Sequence, residues 1–230
     1  MNKWVAIGLL VCVLGYCSRS PQRIDKTAVQ AEQHSDENEC DAVCLQAKAL
    51  RAEAMQAEDE GDAEKALRLN QELAQLDPNN PAVENTVAGL QGTLGRYDEE
   101  IAWAKRALQS NPRYEQAYIN WGNALLAQKQ YAKAKERFLQ ALAINPQSAI
   151  AHYHLGLALD WDGQLEQALL SYQKALSLDA RFEDAYYNAA TVLANLRRYP
   201  EARRYLQQLL DLNPQDAQAK ALLQELGAIR

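Results

Sequence analysis

The chain has 230 residues, a formal net charge of -6 and a pI of about 5.2. Hydrophobic residues make up 48% and charged residues 23%, a balance that excludes a chain disordered throughout. The acidic charge also speaks against nucleic acid as a partner, because phosphate binding needs clustered Lys and Arg. Sparse Val, Ile and Phe favour helices over strands.

Residues 1–17 have the pattern of a signal peptide. Lys3 precedes an apolar run from Trp4 to Tyr16, which is short for a membrane span but suits the core of an export signal. The run ends in LGY before Cys17, which resembles the lipobox of bacterial lipoproteins, with Tyr16 where a small residue is usual. The resemblance implies lipidation of Cys17 and a membrane-anchored envelope protein, at the outer membrane if the host has one. Cleavage near residues 18–20 and an uncleaved anchor stay open.

Residues 18–40 are polar and mixed in charge, and we expect them to form a flexible tether. Cys40 and Cys44 follow as a C-x3-C pair ahead of the repeats. In an oxidising compartment such a pair indicates a disulfide. Two free thiols are the alternative, and a metal site with His34 is a third, weaker one because three ligands in a loose tether are a poor signal.

The strongest pattern is a repeat of 34 residues. Proline recurs at this spacing, at Pro78, Pro112, Pro146 and Pro214, and Ala180 stands at the one position of the series that lacks proline. Small and aromatic residues keep the same spacing: Ala66, Ala134, Ala168, Ala202, Gly61, Gly95, Gly163, Tyr97, Tyr131 and Tyr199. This pattern resembles the tetratricopeptide repeat (TPR), whose units each form two helices, A and B.

The TPR resemblance implies an all-α, right-handed superhelical solenoid. We expect the array to cover residues 41–230, with five units at 47–80, 81–114, 115–148, 149–182 and 183–216 and a capping helix at 217–226. Small residues let the two helices of a unit approach closely, and proline ends helix B. One unit cannot bury its own faces, so neighbouring units must stack.

The A helices of such arrays line the concave side, where a solvated face would carry Glu, Lys and Gln. The last three units carry amides and aromatics instead, and each Asn can both donate to and accept from the backbone of an extended partner. This Asn row resembles that of O-linked N-acetylglucosamine transferases, although the chain has no room for a transferase domain. The predicted groove consists of Asn120, Asn123, Tyr153, His154, Trp161, Tyr187, Asn188 and Asn195. Alternatively, these side chains satisfy one another or the backbone between units.

The sequence has no Gly-rich phosphate loop and no Ser, His and Asp arrangement that stands apart from the repeat. His152 and His154 are interpreted as a core and a groove histidine and not as metal ligands. We therefore expect no catalysis, no cofactor, no metal, no nucleic acid and no small-molecule substrate.

The predicted function is an envelope adaptor that binds protein segments, aiding a pilus, a secretion or a cell-wall complex. The alternative is a structural scaffold that self-associates without a peptide groove.

Overall fold

The computed structural model describes residues 42–228, so the predicted signal peptide, the tether, Cys17 and Cys40 lie outside it. The described range contains eleven helices and no strand, and the prediction of an all-α TPR solenoid is confirmed. The helices are α1 (Ala42–Asp59), α2 (Ala63–Leu76), α3 (Pro81–Thr93), α4 (Tyr97–Ser110), α5 (Glu115–Ala127), α6 (Tyr131–Ile144), α7 (Ala149–Trp161), α8 (Leu165–Leu178), α9 (Glu183–Asn195), α10 (Tyr199–Leu212) and α11 (Ala217–Ala228).

The helices form five successive pairs, and α11 packs on the last of them. Each helix contacts the next along the chain, and α5 also contacts α3 and α7 across neighbouring units. The first helices of the units therefore make one shared face, which we call the concave face. No helix among residues 42–228 has the length and apolar character needed to cross a membrane.

Glycines set the distance between the two helices of a unit. A Cβ atom on Gly122 would lie 2.4 Å from the Phe138 ring, and one on Gly156 would lie 2.5 Å from the Tyr172 ring. Both rings are fully buried. The aromatic side chain of helix B thus fills the space that the missing side chain of helix A leaves, which fixes how closely the pair can pack.

The turn inside each unit places one residue in the left-handed region. Gly61, Gly95 and Gly163 adopt φ of 76°, 74° and 80° there, and glycine does so without steric cost. In the third and fifth units the same place holds Lys129 and Arg197, with φ of 61° and 59°. A side chain in this conformation is strained, so these two turns are less favourable than the other three.

One continuous apolar core runs from Ile119 to Leu226 and so spans α5 to α11. Most apolar residues before it fall into three smaller clusters that meet at Trp103. Four buried polar side chains interrupt this part: Asn70, Glu84, Gln91 and Glu100. We call α1–α4 the N-terminal half and α5–α11 the C-terminal half.

Two buried carboxyl groups in the second unit are accommodated in different ways. Glu84 accepts hydrogen bonds from Arg106 Nε at 2.6 Å and from Ser110 Oγ at 2.7 Å. Glu100 stands where the other four units have a buried alanine, and it is only 4% exposed. Gly92 makes room for it, because a Cβ atom there would lie 2.4 Å from Glu100 Oε2. Burial raises the pKa of Glu100 to about 8, so its carboxyl group is mostly protonated at neutral pH.

Candidate functional site on the concave face

Polar side chains on the concave face link neighbouring units at two of their junctions. Between the second and third units, Asn120 Nδ2 donates to Asn85 Oδ1 at 2.9 Å and to the Asn85 carbonyl at 3.2 Å. Between the fourth and fifth units, Asn188 Nδ2 donates to the Tyr153 hydroxyl at 3.0 Å. The amide nitrogens of Asn120 and Asn188, two of the four asparagines in the predicted groove, therefore already donate within the protein.

The junction between the third and fourth units breaks this regularity. Ile119 occupies the place of Asn85 and Tyr153 and is 8% exposed, so it packs in the core and offers no polar contact. His154 occupies the place of Asn120 and Asn188. Its ring stacks on Phe138 at 5.5 Å and meets Tyr153 edge-on at 5.3 Å.

The structure places both histidines differently from the sequence interpretation of a core His152 and a groove His154. His154 has a buried Nδ1 without a hydrogen-bond partner, and burial lowers its pKa to about 4. His152 Nε2 instead lies 3.1 Å from the Pro146 carbonyl at the turn between units. His154 is thus a neutral, packed ring, because Phe138 draws it against helix B of the preceding unit.

The side-chain oxygens of the asparagine row are not used by the protein. Asn123 Oδ1 is buried without a partner. The Oδ1 atoms of Asn120 and Asn188 accept no hydrogen bond from any residue within 42–228. The oxygens of Asn120 and Asn188 are therefore acceptors that a partner can use, whereas the Asn123 oxygen is enclosed.

Two predicted residues lie at the rim of the face. Trp161 is the last residue of α7, and its ring is 49% exposed and packs edge-on against Tyr131 at 6.0 Å. Asn195 ends α9 in the equivalent place and is exposed. Both side chains are open to a partner approaching from the side of the turns within units.

Sequence reasoning missed an acidic end of the face. Asp184 opens α9, and its pKa is raised by burial and by Glu183 and Asp216. The pKa of Tyr187 is raised by burial and by Asp216 and Glu225. Asp184 shares helical spacing with Tyr187 and Asn188, which was visible in the sequence, whereas the approach of Asp216 and Glu225 depends on how α11 docks.

The cysteine predictions fall mostly outside the described residues. Cys44 lies in the first turn of α1 and is disulfide-bonded. Its pairing with Cys40 stays a prediction, as do the tether and the lipidation of Cys17. Residues 42–228 contain no group of three or more His, Cys, Asp or Glu side chains placed to hold a metal ion.

Comparison with known proteins agrees with this geometry. Residues 122–159 match the family model "TPR repeat", and residues 161–226 match "Tetratricopeptide repeat". Over these two segments the chain is similar to tetratricopeptide repeats. The matched segments run from the middle of α5 to near the end of α11, and so lie within the C-terminal half with its continuous core.

Relatives and solved structures extend the likeness over most of the described range. Protein O-mannosyl-transferase TMTC3 of Homo sapiens is 29% identical over 149 residues, or 63% of this chain and 16% of that protein. The chain spans less than a fifth of the length of this relative, of its Mus musculus counterpart and of Tetratricopeptide repeat protein 13 of Homo sapiens. The structure of MamA 41-end from Desulfovibrio magneticus RS-1 is 28% identical, with a TM-score of 0.63 over 75% of this chain and 98% of that one. Pseudomonas aeruginosa pilF, at 22% identity, shows the fold alone, with a TM-score of 0.71 over 81% of this chain and 85% of that one.

Proposed function

We propose that the protein is a non-enzymatic adaptor that holds an extended segment of a partner protein along the concave face. The observation that supports this most directly is that the side-chain oxygens of Asn120 and Asn188 accept no hydrogen bond within residues 42–228. Backbone N–H groups of an extended segment are donors at regular spacing. Each hydrogen bond contributes only about 0.5–1.5 kcal/mol, so several in register give modest affinity with loose sequence preference.

The binding face is tested by removing the spare acceptors. The protein captures its partner from an envelope extract, and affinity for the captured partner is then measured for wild type and for Asn120→Ala combined with Asn188→Ala. We expect at least a tenfold loss of affinity at unchanged helicity. Gln109→Ala, an exposed amide on α4 without a hydrogen bond, is the matched control. Equal affinity for all three proteins moves the binding site away from the concave face.

We further propose that this adaptor works in the cell envelope, anchored through Cys17, in assembly of a pilus, a secretion or a cell-wall complex. The support is the signal-like sequence of residues 1–17 and its lipobox-like end. Membrane fractionation tests the anchor. Cys17→Ala is expected to release the protein from the membrane fraction, with Cys12→Ala as control. A Cys17→Ala protein that still pellets with membranes points to an uncleaved anchor instead.

One observation favours the second candidate, a scaffold that self-associates through its N-terminal end. Helix α1 exposes Val43, Leu45 and Met55, of which Leu45 is 58% exposed. Exposed apolar side chains on a terminal unit favour stacking of one array on another. Sedimentation velocity of wild type and Leu45→Ser distinguishes the two functions. A concentration-dependent oligomer lost in Leu45→Ser supports the scaffold, and a monomer at all concentrations contradicts it.

A further inference from the structure

We propose that the partner segment docks a large apolar side chain (Leu, Ile, Met or Phe) on an apolar stripe of helix α7, and that it carries no Asp or Glu beside that side chain. The stripe consists of Ile150, Leu157 and Trp161. This inference rests on the proposed function, because it assumes that the concave face holds a segment of another protein. It adds the chemical class of that segment and the helix that recognises it.

The stripe runs along one side of α7. Leu157 follows Ile150 by seven residues and Trp161 follows Leu157 by four, so the three side chains lie above one another on the helix. Ile150 is 50% exposed and Trp161 is 49% exposed, whereas Leu157 is partly buried against the core. Two large apolar side chains are therefore half in water, one near each end of α7.

The neighbouring units have small or polar residues at the three places of the stripe. These are Gln116, Asn123 and Ala127 in the third unit, and Asp184, Thr191 and Asn195 in the fifth. Both of those units pack into the same solenoid without an apolar stripe. Stacking of the units therefore does not account for the stripe on α7.

The composition of α7 is that of a helix covered on all sides. Asp160 is the only Asp, Glu, Lys or Arg in it, and most of its other residues are apolar. A helix that is apolar all round is normally buried all round. Large apolar side chains that stay exposed together on such a helix mark a surface that another molecule covers.

Hydrogen-bond acceptors border the stripe on both sides. Helix α5 contacts α7 on one side, and Asn188 of α9 donates to Tyr153 of α7 on the other. The Oδ1 atoms of Asn120 on α5 and of Asn188 accept no hydrogen bond within residues 42–228. An apolar centre with a polar rim is the usual anatomy of a protein-binding surface. The rim can accept from the backbone of a segment whose apolar side chain lies on the stripe.

The charge of the face determines which segments fit it. Helices α3, α5, α7 and α9 contain no Lys or Arg, whereas α4, α6, α8 and α10 each contain at least one. The charged side chain next to Trp161 in the sequence of α7 is the carboxylate of Asp160. An Asp or Glu of the partner would find no cation on these four helices and would be repelled. The apolar residue of the segment is therefore accompanied by neutral or basic residues.

Selection from a random 12-residue peptide library tests the proposal. The library is panned against wild type, against Ile150→Gln combined with Trp161→Asn (the stripe variant), and against Leu139→Gln combined with Leu170→Gln. The stripe variant receives residues that the neighbouring units hold at the same places, so the fold accommodates them. The control removes two leucines that are 49% and 65% exposed on the second helices of the third and fourth units.

We expect wild type and the control to enrich peptides with Leu, Ile, Met or Phe at one fixed position. The same peptides should contain fewer Asp and Glu residues than the unselected library. The stripe variant should lose the preference for the apolar position, because the surface that receives it is gone.

The affinity of one selected peptide measures the contact itself. The stripe variant should bind it about tenfold more weakly than wild type, and the control should bind it equally well. Replacing the fixed apolar residue of the peptide with Ala should weaken binding to wild type about tenfold. The same replacement should leave binding to the stripe variant unchanged. Equal circular dichroism and melting of the three proteins excludes unfolding as the cause of a loss.

The outcomes separate this inference from the function beneath it. Enriched peptides without a fixed apolar position, or with one that the stripe variant binds equally well, overturn the role of α7 and keep the groove. Asp and Glu at the frequency of the unselected library overturn the exclusion of acidic segments. No enrichment by any of the three proteins overturns the groove itself, and the inference with it.

Discussion

The N-terminal and C-terminal halves follow one 34-residue grid but are stabilised differently. The C-terminal half shares one apolar core across three units and the last helix, whereas the N-terminal half holds small clusters separated by buried polar groups. All eight predicted groove residues lie in the C-terminal half. The comparison teaches that the repeat fixes where helices begin, while the residues between its marks decide which units are rigid enough to present a binding face.

The largest expected effect comes from the shared core. Phe138→Ala removes a fully buried ring that packs against both Gly122 and His154, so we expect a loss of about 3–5 kcal/mol in the free energy of unfolding. Urea unfolding measures it, with Leu139→Ala, its half-exposed neighbour, as control. If the two changes cost the same, the C-terminal half is not held by a continuous core.

The N-terminal half should respond to pH through Glu100. Its pKa is about 8 when folded against an ordinary 4.5, so the folded state holds the proton more tightly than the unfolded state. This contribution is present below about pH 4.5 and is lost as the pH rises to about 8, on the order of 5 kcal/mol in all because each pKa unit corresponds to about 1.4 kcal/mol. Hydrogen exchange of α3 and α4 between pH 5 and 8, corrected for intrinsic rates, measures the effect.

Glu100→Gln is the control for that pH dependence. The variant keeps the shape of the side chain but cannot ionise, so opening of α3 and α4 should no longer vary with pH over this range. A pH dependence that persists unchanged in Glu100→Gln assigns it to another group.

The asparagine row should divide into residues that link units and one that does not. Asn188→Ala removes the bond to Tyr153 and Asn120→Ala removes the bonds to Asn85, and each should cost about 1 kcal/mol. Asn123→Ala should cost almost nothing, because its oxygen has no partner to lose. Thermal unfolding of the three variants compares them directly. A loss at Asn123 as large as at Asn188 contradicts this division.

The smallest expected effect is in the turns within units. Lys129→Gly and Arg197→Gly relieve a left-handed backbone and should each stabilise the protein by about 0.5–1 kcal/mol. Lys133→Gly, four residues further on in the ordinary helical backbone of α6, should destabilise it. Melting temperatures of the three variants test both signs.

The fold was predictable from the sequence because the residues that recur every 34 positions determine structure over short distances along the chain. Pro81, Glu115, Ala149 and Glu183 open both the predicted units and the observed helices, since glycine, alanine and proline act within their own unit. The packing of Ile119 and His154 was not predictable. Whether a side chain at the edge of a helical face is buried or exposed depends on the rotation of its helix about its own axis. For His154, the contact that fixes the position of the ring is with Phe138 of the preceding unit.

The acidic end of the face was hidden for a similar reason. Asp184 belongs to the predicted face by spacing, but Asp216 approaches it, and Glu225 approaches Tyr187, only because α11 docks on the last unit. Gly92 and Glu100 are a second example. Each of the two differs from its counterparts in the other units, and the sequence does not connect the two differences. Only the packed unit shows that Gly92 makes room for Glu100.

The measurement that tests the central claim most directly is photo-crosslinking in the intact protein. A photoreactive phenylalanine analogue replaces either Trp161, at the rim of the concave face, or Leu170, which is 65% exposed on the second helix of the same unit. The account predicts adducts with a partner protein from position 161 and none from position 170. Adducts from position 170 alone would place the partner on the opposite surface and contradict the account.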